Sequence, residues 1–176
     1  MKNTFSLFTL IIGLAFSMSV NAQDTYYSKK YPYRFTIMSG WKVKEQIFLP
    51  ETDAKIVDGR GNSLIVSVKP IPTELRNRTV VSLLSKATDE DIAMSLSPSG
   101  FDNINIRKRG TTYIGNREFY YVFANEPFMD GLRLNHKLFY TNYKNNAYTI
   151  DCSSISSMTN EVIPYLDLML ESIRFF

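Results

Sequence analysis

The chain is poor in the residues that carry most enzyme chemistry. Its 176 residues hold one cysteine, one histidine and one tryptophan. A lone Cys152 cannot close an internal disulfide, so the fold must rest on its core. Cys152 reads as a buried small hydrophobe at the end of a strand. Without a second cysteine or histidine, the Cys/His ligand sets of zinc sites are excluded. Charge of one sign is scarce as well. The net charge is +3, too weak to imply a nucleic-acid partner. Lys29-Lys30 and Arg107-Lys108-Arg109 are the tight basic groups, and both read as solvated strand or loop edges. Beyond the first residues no apolar run reaches the roughly 20 residues of a membrane span. No span and no cofactor are expected.

The N-terminus is where the hydrophobicity concentrates. Met1–Ala22 opens on Lys2, runs through the apolar stretch Phe5–Phe16 and closes on Val20-Asn21-Ala22. That is the charged, apolar and small-residue order of a secretory signal peptide, with cleavage expected between Ala22 and Gln23. Ser6, Thr9, Ser17 and Ser19 make it a poor membrane anchor. No cysteine lies near the cleavage point, so a lipid anchor is not expected. The product is expected to be exported, to a periplasm or to the medium.

Cleavage leaves about 154 residues and removes Lys2, lowering the net charge from +3 to +2. That length implies one domain, residues 23–176, able to bury roughly two-thirds of its unfolded surface. A composition of 44% hydrophobic and 14% aromatic residues argues against disorder. Residues 23–31 read as a polar lead-in segment carrying Tyr26, Tyr27 and Tyr31.

Alternation of Tyr33, Phe35 and Ile37 with Arg34 and Thr36 predicts a strand. Trp41–Glu45 reads as its hairpin partner across a Met38-Ser39-Gly40 turn. Lys55–Asp58 and Leu64–Lys69 read as a second strand pair around the Gly59–Asn62 turn. Thr79–Leu96 is helical, with a break near Ala87, Thr88 as a second N-cap, and Asp89, Glu90 and Asp91 in the first turn. Pro98-Ser99-Gly100 closes it. From Asn103 onward the pattern predicts an antiparallel meander: Ile104–Arg107 and Tyr113-Ile114, then Arg117–Asn125, Leu132–Tyr143 and Ala147–Cys152. A helix over Ser157–Arg174 follows, with Val162, Leu166, Met169 and Ile173 as its inner stripe. Pro164 is tolerable if Asn160 caps that helix. Strands in runs, rather than alternating with helices, predict an α+β fold: an antiparallel sheet of about six or seven strands flanked by helices.

His136 is the sharpest chemical candidate. It falls among Leu134 and Leu138 on an apolar strand face, where it reads either as a base or ligand, or as a hydrogen-bonded core histidine. Asp151, Asp130 or Glu126 could join it only through the fold. Ser153-Ser154 and Ser156-Ser157 lack a nucleophile elbow and read as a polar loop before a helix. Asp89-Glu90-Asp91 lacks calcium-loop spacing. Gly59-Arg60-Gly61-Asn62 lacks the strand–loop–helix context of a phosphate loop. Asn77-Arg78-Thr79 fits the glycosylation triplet. Tyrosines are abundant, and Tyr26, Tyr27 and Tyr31, together with His136, are the residues proposed for a recognition surface.

The run Tyr33-Arg34-Phe35-Thr36-Ile37-Met38-Ser39-Gly40-Trp41 resembles the opening of PsbP/Mog1-like domains, an alternating strand leading into a Gly-Trp turn. The later order is similar too: a middle helix, a meander and a C-terminal helix ending in Ser172-Ile173-Arg174-Phe175. One departure is that Met38-Ser39 stands where the family often carries proline. The resemblance implies an α/β/α sandwich. It also implies a binding or assembly role without catalysis, since the family's members include a photosystem accessory protein, a regulator of a nuclear transport GTPase and exported bacterial proteins. No functional residue carries over, because no functional motif matches. The expectation is an exported, non-enzymatic binding or assembly domain whose partner is a protein or small ligand outside the cytoplasm. The alternatives are a small-molecule or lipid binder with a cavity between sheet and helices, and a hydrolase using His136.

Overall fold

The computed structural model describes residues 24–44, 51–96 and 103–176. The expected cleavage point Ala22/Gln23, the end of the Trp41–Glu45 strand and the Pro98–Gly100 stop lie outside the described residues.

Ten strands and three α-helices are described. The strands are β1 (Asp24–Tyr27), β2 (Tyr33–Ile37), β3 (Lys42–Val43), β4 (Thr52–Val57), β5 (Ser63–Pro70), β6 (Asn105–Ile114), β7 (Arg117–Pro127), β8 (Arg133–Tyr143), β9 (Asn146–Ile155) and β10 (Arg174–Phe175). The helices are α1 (Val80–Leu84), α2 (Asp89–Leu96) and α3 (Thr159–Glu171). Seven strands form one sheet in the order β3-β4-β5-β9-β8-β7-β6, and three form a small sheet, β1-β2-β10. Every pairing is antiparallel. The fold is α+β, as the strand runs predict.

The large sheet is covered on both faces. Alternation along β4, β5 and β9 sends Ala54, Ile56, Leu64, Val66, Tyr148, Ile150 and Cys152 to one face. There they pack with Val162, Leu166 and Met169 of α3 and with Tyr33 and Phe35 of the small sheet. Each large side chain buried this way contributes about 1.5–3 kcal/mol. On the other face Val81 of α1 and Ile92 and Leu96 of α2 cover Tyr120, Val122, Ala124 and Leu138.

The break within residues 79–96 has a local cause. Thr79 Oγ1 accepts from the Ser82 amide and caps α1. In α2 the Asp91 amide donates to Thr88 Oγ1 at 3.1 Å, and the Thr88 amide donates back to Asp91 at 2.9 Å. That is a reciprocal capping box with aspartate in the glutamate position.

Several expectations are corrected. Tyr33–Ile37 and the strand after Trp41 do not form a hairpin. β2 lies between β1 and β10, whereas β3 pairs with β4. Met38 and Trp41 are both buried, so the corner at Gly40 (φ +83°) carries the chain from one sheet to the other. Residues 24–27 of the lead-in segment form an edge strand. Ser153 and Ser154 are buried strand residues, not a loop. Their hydroxyls meet Ser63 Oγ at 2.8 Å and Thr159 Oγ1 at 3.2 Å, which satisfies them inside the sheet. The last helix stops at Glu171, and Arg174-Phe175 leaves it to pair with Arg34 and Tyr33. α3 starts at Thr159, ahead of Asn160, so Pro164 stands inside it. There the proline removes one helical hydrogen bond.

Candidate functional site

The sheet register builds a polar line beneath α2. Side chains directly opposite one another share a face. His136 of β8 faces Ser153 of β9, Leu138 faces Asp151, and Tyr140 faces Thr149. On the outer side of β9, Asp151 faces Ile65 and Thr149 faces Ser67 of β5, and Ser67 faces Thr52 of β4. Four hydroxyl residues, Thr52, Ser67, Thr149 and Tyr140, therefore lie in one row across four strands. Asp151 sits one step along, between Ile65 and Leu138.

His136 is 3% exposed and lies between two carboxylates. Its Nδ1 is 3.1 and 3.2 Å from the two oxygens of Asp151. Its Nε2 is 3.4 Å from Oε1 of Glu126. Burial by itself lowers the imidazole pKa. The hydrogen bond and charge of Asp151, and then those of Glu126, outweigh that and hold it above its ordinary value. The geometry, a hydrogen bond at Nδ1 and an ion-pair contact at Nε2, favours the charged imidazolium over a free base. Asp130, the third carboxylate considered, is on an exposed turn.

A cleft of about 280 Å³ opens beside this line, lined by Ile65, Ser67, Leu138, Tyr140, Thr149 and Asp151 of the sheet. Ser95 and Leu96 at the end of α2 form its roof, and Thr52, Glu51 and Lys69 its outer wall. Lys69 Nζ lies 2.6 Å from Glu51 Oε2, so the charges at the mouth are paired. Several polar groups face the inside. Asp151 is 8% exposed, and among the described residues its hydrogen-bond donor is His136 alone. Thr52 and Ser67 hydroxyls are 3.5 Å apart. Burial, then the charge of Asp151, pushes the Tyr140 phenol up, so it stays a neutral hydroxyl. Apolar walls with a few convergent polar groups are the usual make-up of a small-ligand site.

Among the described residues no group of three His, Cys, Asp or Glu is placed to hold a metal ion. The two carboxylates beside His136 approach opposite sides of the ring and do not converge. Cys152 is buried on the α3 face, and burial, with the charge of Asp151 next, pushes its thiol well above the ordinary value. It is an unreactive core residue. Asp89 and Asp91 are engaged at the head of α2, Asp89 with Arg109 at 2.6 Å. The Gly59–Asn62 turn is closed by Asp58.

The tyrosines named for recognition separate into two kinds. Tyr26 donates from its hydroxyl to the Asp53 carbonyl at 3.0 Å and packs on Phe35. Tyr31 packs edge-on against Tyr148. Tyr27 is 55% exposed, with the Arg34 guanidinium over its ring. The hydroxyl row and the role of Asp151 in the cleft are not visible in the sequence, where Thr52, Ser67 and Thr149 are single polar residues in strands. The one signal is that Ser67 and Thr149 alternate with buried apolar neighbours; Thr52, flanked by Glu51 and Asp53, joins the row through a register shift between Thr52 and Ala54.

No protein-family model matches the chain, and no curated protein matches it. Solved structures do. Cyanobacterial PsbP from Synechocystis superposes with a TM-score of 0.68 at 17% identity, covering 94% of this chain and 99% of that one. A protein of Bacteroides thetaiotaomicron gives 0.55 at 11% identity over 86% of this chain, which spans 48% of that longer molecule. LpqN of Mycobacterium tuberculosis gives 0.54 at 6% identity, covering 87% and 91%. Among the described residues no helix is long and apolar enough to cross a membrane. At these identities the likeness concerns architecture: the chain has the PsbP-like α+β fold.

Proposed function

We propose that this is an exported, non-catalytic binding domain spanning residues 23–176, and that the cleft beneath α2 is where it takes a small ligand. The observation that carries the reading is Asp151, a nearly buried carboxylate whose one side-chain donor among the described residues is His136, opening into a cleft that Thr149 and Tyr140 also line. Buried polar groups ordinarily find partners, and a ligand that supplies them would be held strongly. Against catalysis stands His136, whose two nitrogens both face carboxylates. Export rests on the Met1–Ala22 pattern. LpqN is named for a part in cell envelope biogenesis, which suits a setting outside the cytoplasm, although a shared fold transfers no role by itself.

The test is native purification from the extracytoplasmic fraction, followed by mass spectrometry of whatever the protein releases on unfolding. A small molecule is expected with the wild type and not with Asp151→Asn. Equal recovery from both would show that the cleft is not the site. N-terminal sequencing of the same material is expected to begin at Gln23, and a chain still beginning at Met1 would refute cleavage.

A second reading, assembly on a protein partner, is favoured by Tyr27, whose ring is exposed beside Arg34 on the edge strand β1. It uses a different surface. Tyr27→Ala would abolish partner capture and leave small-molecule recovery unchanged.

A further inference from the structure

The composition of the cleft points to a class of ligand. We infer that it takes a neutral polyhydroxylated molecule, a sugar ring or similar polyol, with Asp151 accepting hydrogen bonds from neighbouring hydroxyls and the Ser67–Thr149–Tyr140 row meeting the others. This rests on the reading of the cleft as the binding site.

Three features select that class. The first is spacing. Strands lie about 4.8 Å apart, so the row from Ser67 through Thr149 to Tyr140 spans roughly 10 Å, the scale of one ring with its substituents. Each of those hydroxyls both donates and accepts, as a sugar hydroxyl does, so the ligand can satisfy either sense. The second is charge. Asp151 accepts only, and Glu51 stands at the mouth with its charge matched by Lys69. An anionic ligand would meet Asp151, while among the described residues Lys69 is paired with Glu51 and His136 is held between Asp151 and Glu126. The third is size and lining. At about 280 Å³ the cleft is at the small end of ligand sites, which run to roughly 300–1,000 Å³. Ile65, Leu138 and Leu96 offer apolar surface for the C–H face of one ring.

Amide-detected NMR titration of the exported protein tests this with three probes: methyl glucoside, glucuronate and hexylamine. Methyl glucoside is expected to saturate with shifts centred on Ser67, Thr149 and Asp151, and glucuronate to bind at least tenfold more weakly. Asp151→Asn should weaken methyl glucoside about tenfold or more, as expected on removing a charged hydrogen-bond acceptor. Thr149→Val keeps the strand and side-chain shape, and should weaken it about two- to tenfold. If Asp151→Asn does not fold, Thr149→Val carries the test alone. Binding of hexylamine without methyl glucoside, or glucuronate binding as tightly as methyl glucoside, would overturn the polyol assignment and leave the cleft reading intact. Shifts at the cleft with none of the three probes would overturn both.

Discussion

His136 Nδ1 lies 3.1 Å from Asp151 Oδ1, so the chain's single histidine is tied to a nearly buried carboxylate that opens into the cleft. The pair joins the centre of β8 to the centre of β9, and Glu126 approaches from the far side of the ring.

The pair sets a pH dependence. The folded pKa of His136 lies above its ordinary 6.5. The stability it contributes is therefore fully present below about pH 6.5 and lost as pH rises through the folded value. Thermal melts are expected to fall in Tm on the alkaline side of that value, and His136→Gln should lose that dependence. With one histidine in the chain, its imidazole NMR signal reports the titration directly. A midpoint below 6.5 would contradict the arrangement.

Two buried tyrosines should respond oppositely to loss of the hydroxyl. Tyr33 donates to Asp53 Oδ2 at 2.5 Å. Tyr148 Oη is buried with no hydrogen-bond partner among the described residues. Tyr33→Phe should cost about 1–3 kcal/mol. Tyr148→Phe should be neutral or stabilising, because it removes a buried hydroxyl that gains nothing from the fold. Urea unfolding of the two variants side by side checks the contrast.

The β4–β5 turn depends on Asp58. Its carboxylate accepts from the Arg60 and Asn62 amides and from the Asn62 side chain at 2.6 Å, and Asn62 Oδ1 in turn accepts from the Ile155 amide at 3.0 Å. Burial alone would raise the Asp58 pKa, but these bonds, with the Arg60 side chain, bring it below its ordinary 3.8. Its contribution is present above about pH 3.8 and lost as pH falls through the lower folded value. Asp58→Ala should cost about 1–3 kcal/mol by leaving buried Asn62 unsatisfied. Equilibrium unfolding near neutral pH measures the loss, and repeating it in acid should show the difference from wild type shrink.

Removing the α2 cap should loosen the roof of the cleft. Thr88→Ala is expected to cost about 1 kcal/mol, or about 3 °C in Tm for a chain of this size. Hydrogen exchange should rise over Ile92–Leu96, and Thr88→Ser should restore protection. Unchanged exchange in α2 would show that packing of Ile92 and Leu96, not the cap, holds the helix.

Local pattern made much of the fold legible. Period-two alternation over Arg117–Asn125 and Leu132–Tyr143 places the meander; β7 runs on to Pro127, and β8 starts one residue inside its stretch, at Arg133. The stripe of Val162, Leu166 and Met169 places α3, and Thr88 with Asp91 marks a helix start. These features depend on neighbours within a turn or a strand. The hairpin expected after Tyr33–Ile37 shows where locality ends. Alternation identifies β2 as a strand but cannot say that its partner is Arg174-Phe175, more than a hundred residues away. The serines at 153 and 154 fail for a related reason: their hydrogen-bond partners, Ser63 and Thr159, arrive only through the fold.

By itself, then, the sequence determined an α+β chain with an N-terminal pattern of the export type, too few cysteines and histidines for a Cys/His zinc set or an internal disulfide, and a single histidine on an apolar strand face. Only the tertiary structure decided what that histidine touches and which polar residues converge. Asp151 meets His136, and Thr52, Ser67, Thr149 and Tyr140 fall into one row, because β4, β5, β9 and β8 pair in one particular register. A slip of one residue would turn every one of these side chains to the opposite face, and that register is set by packing across the whole sheet, not by any short stretch of the chain.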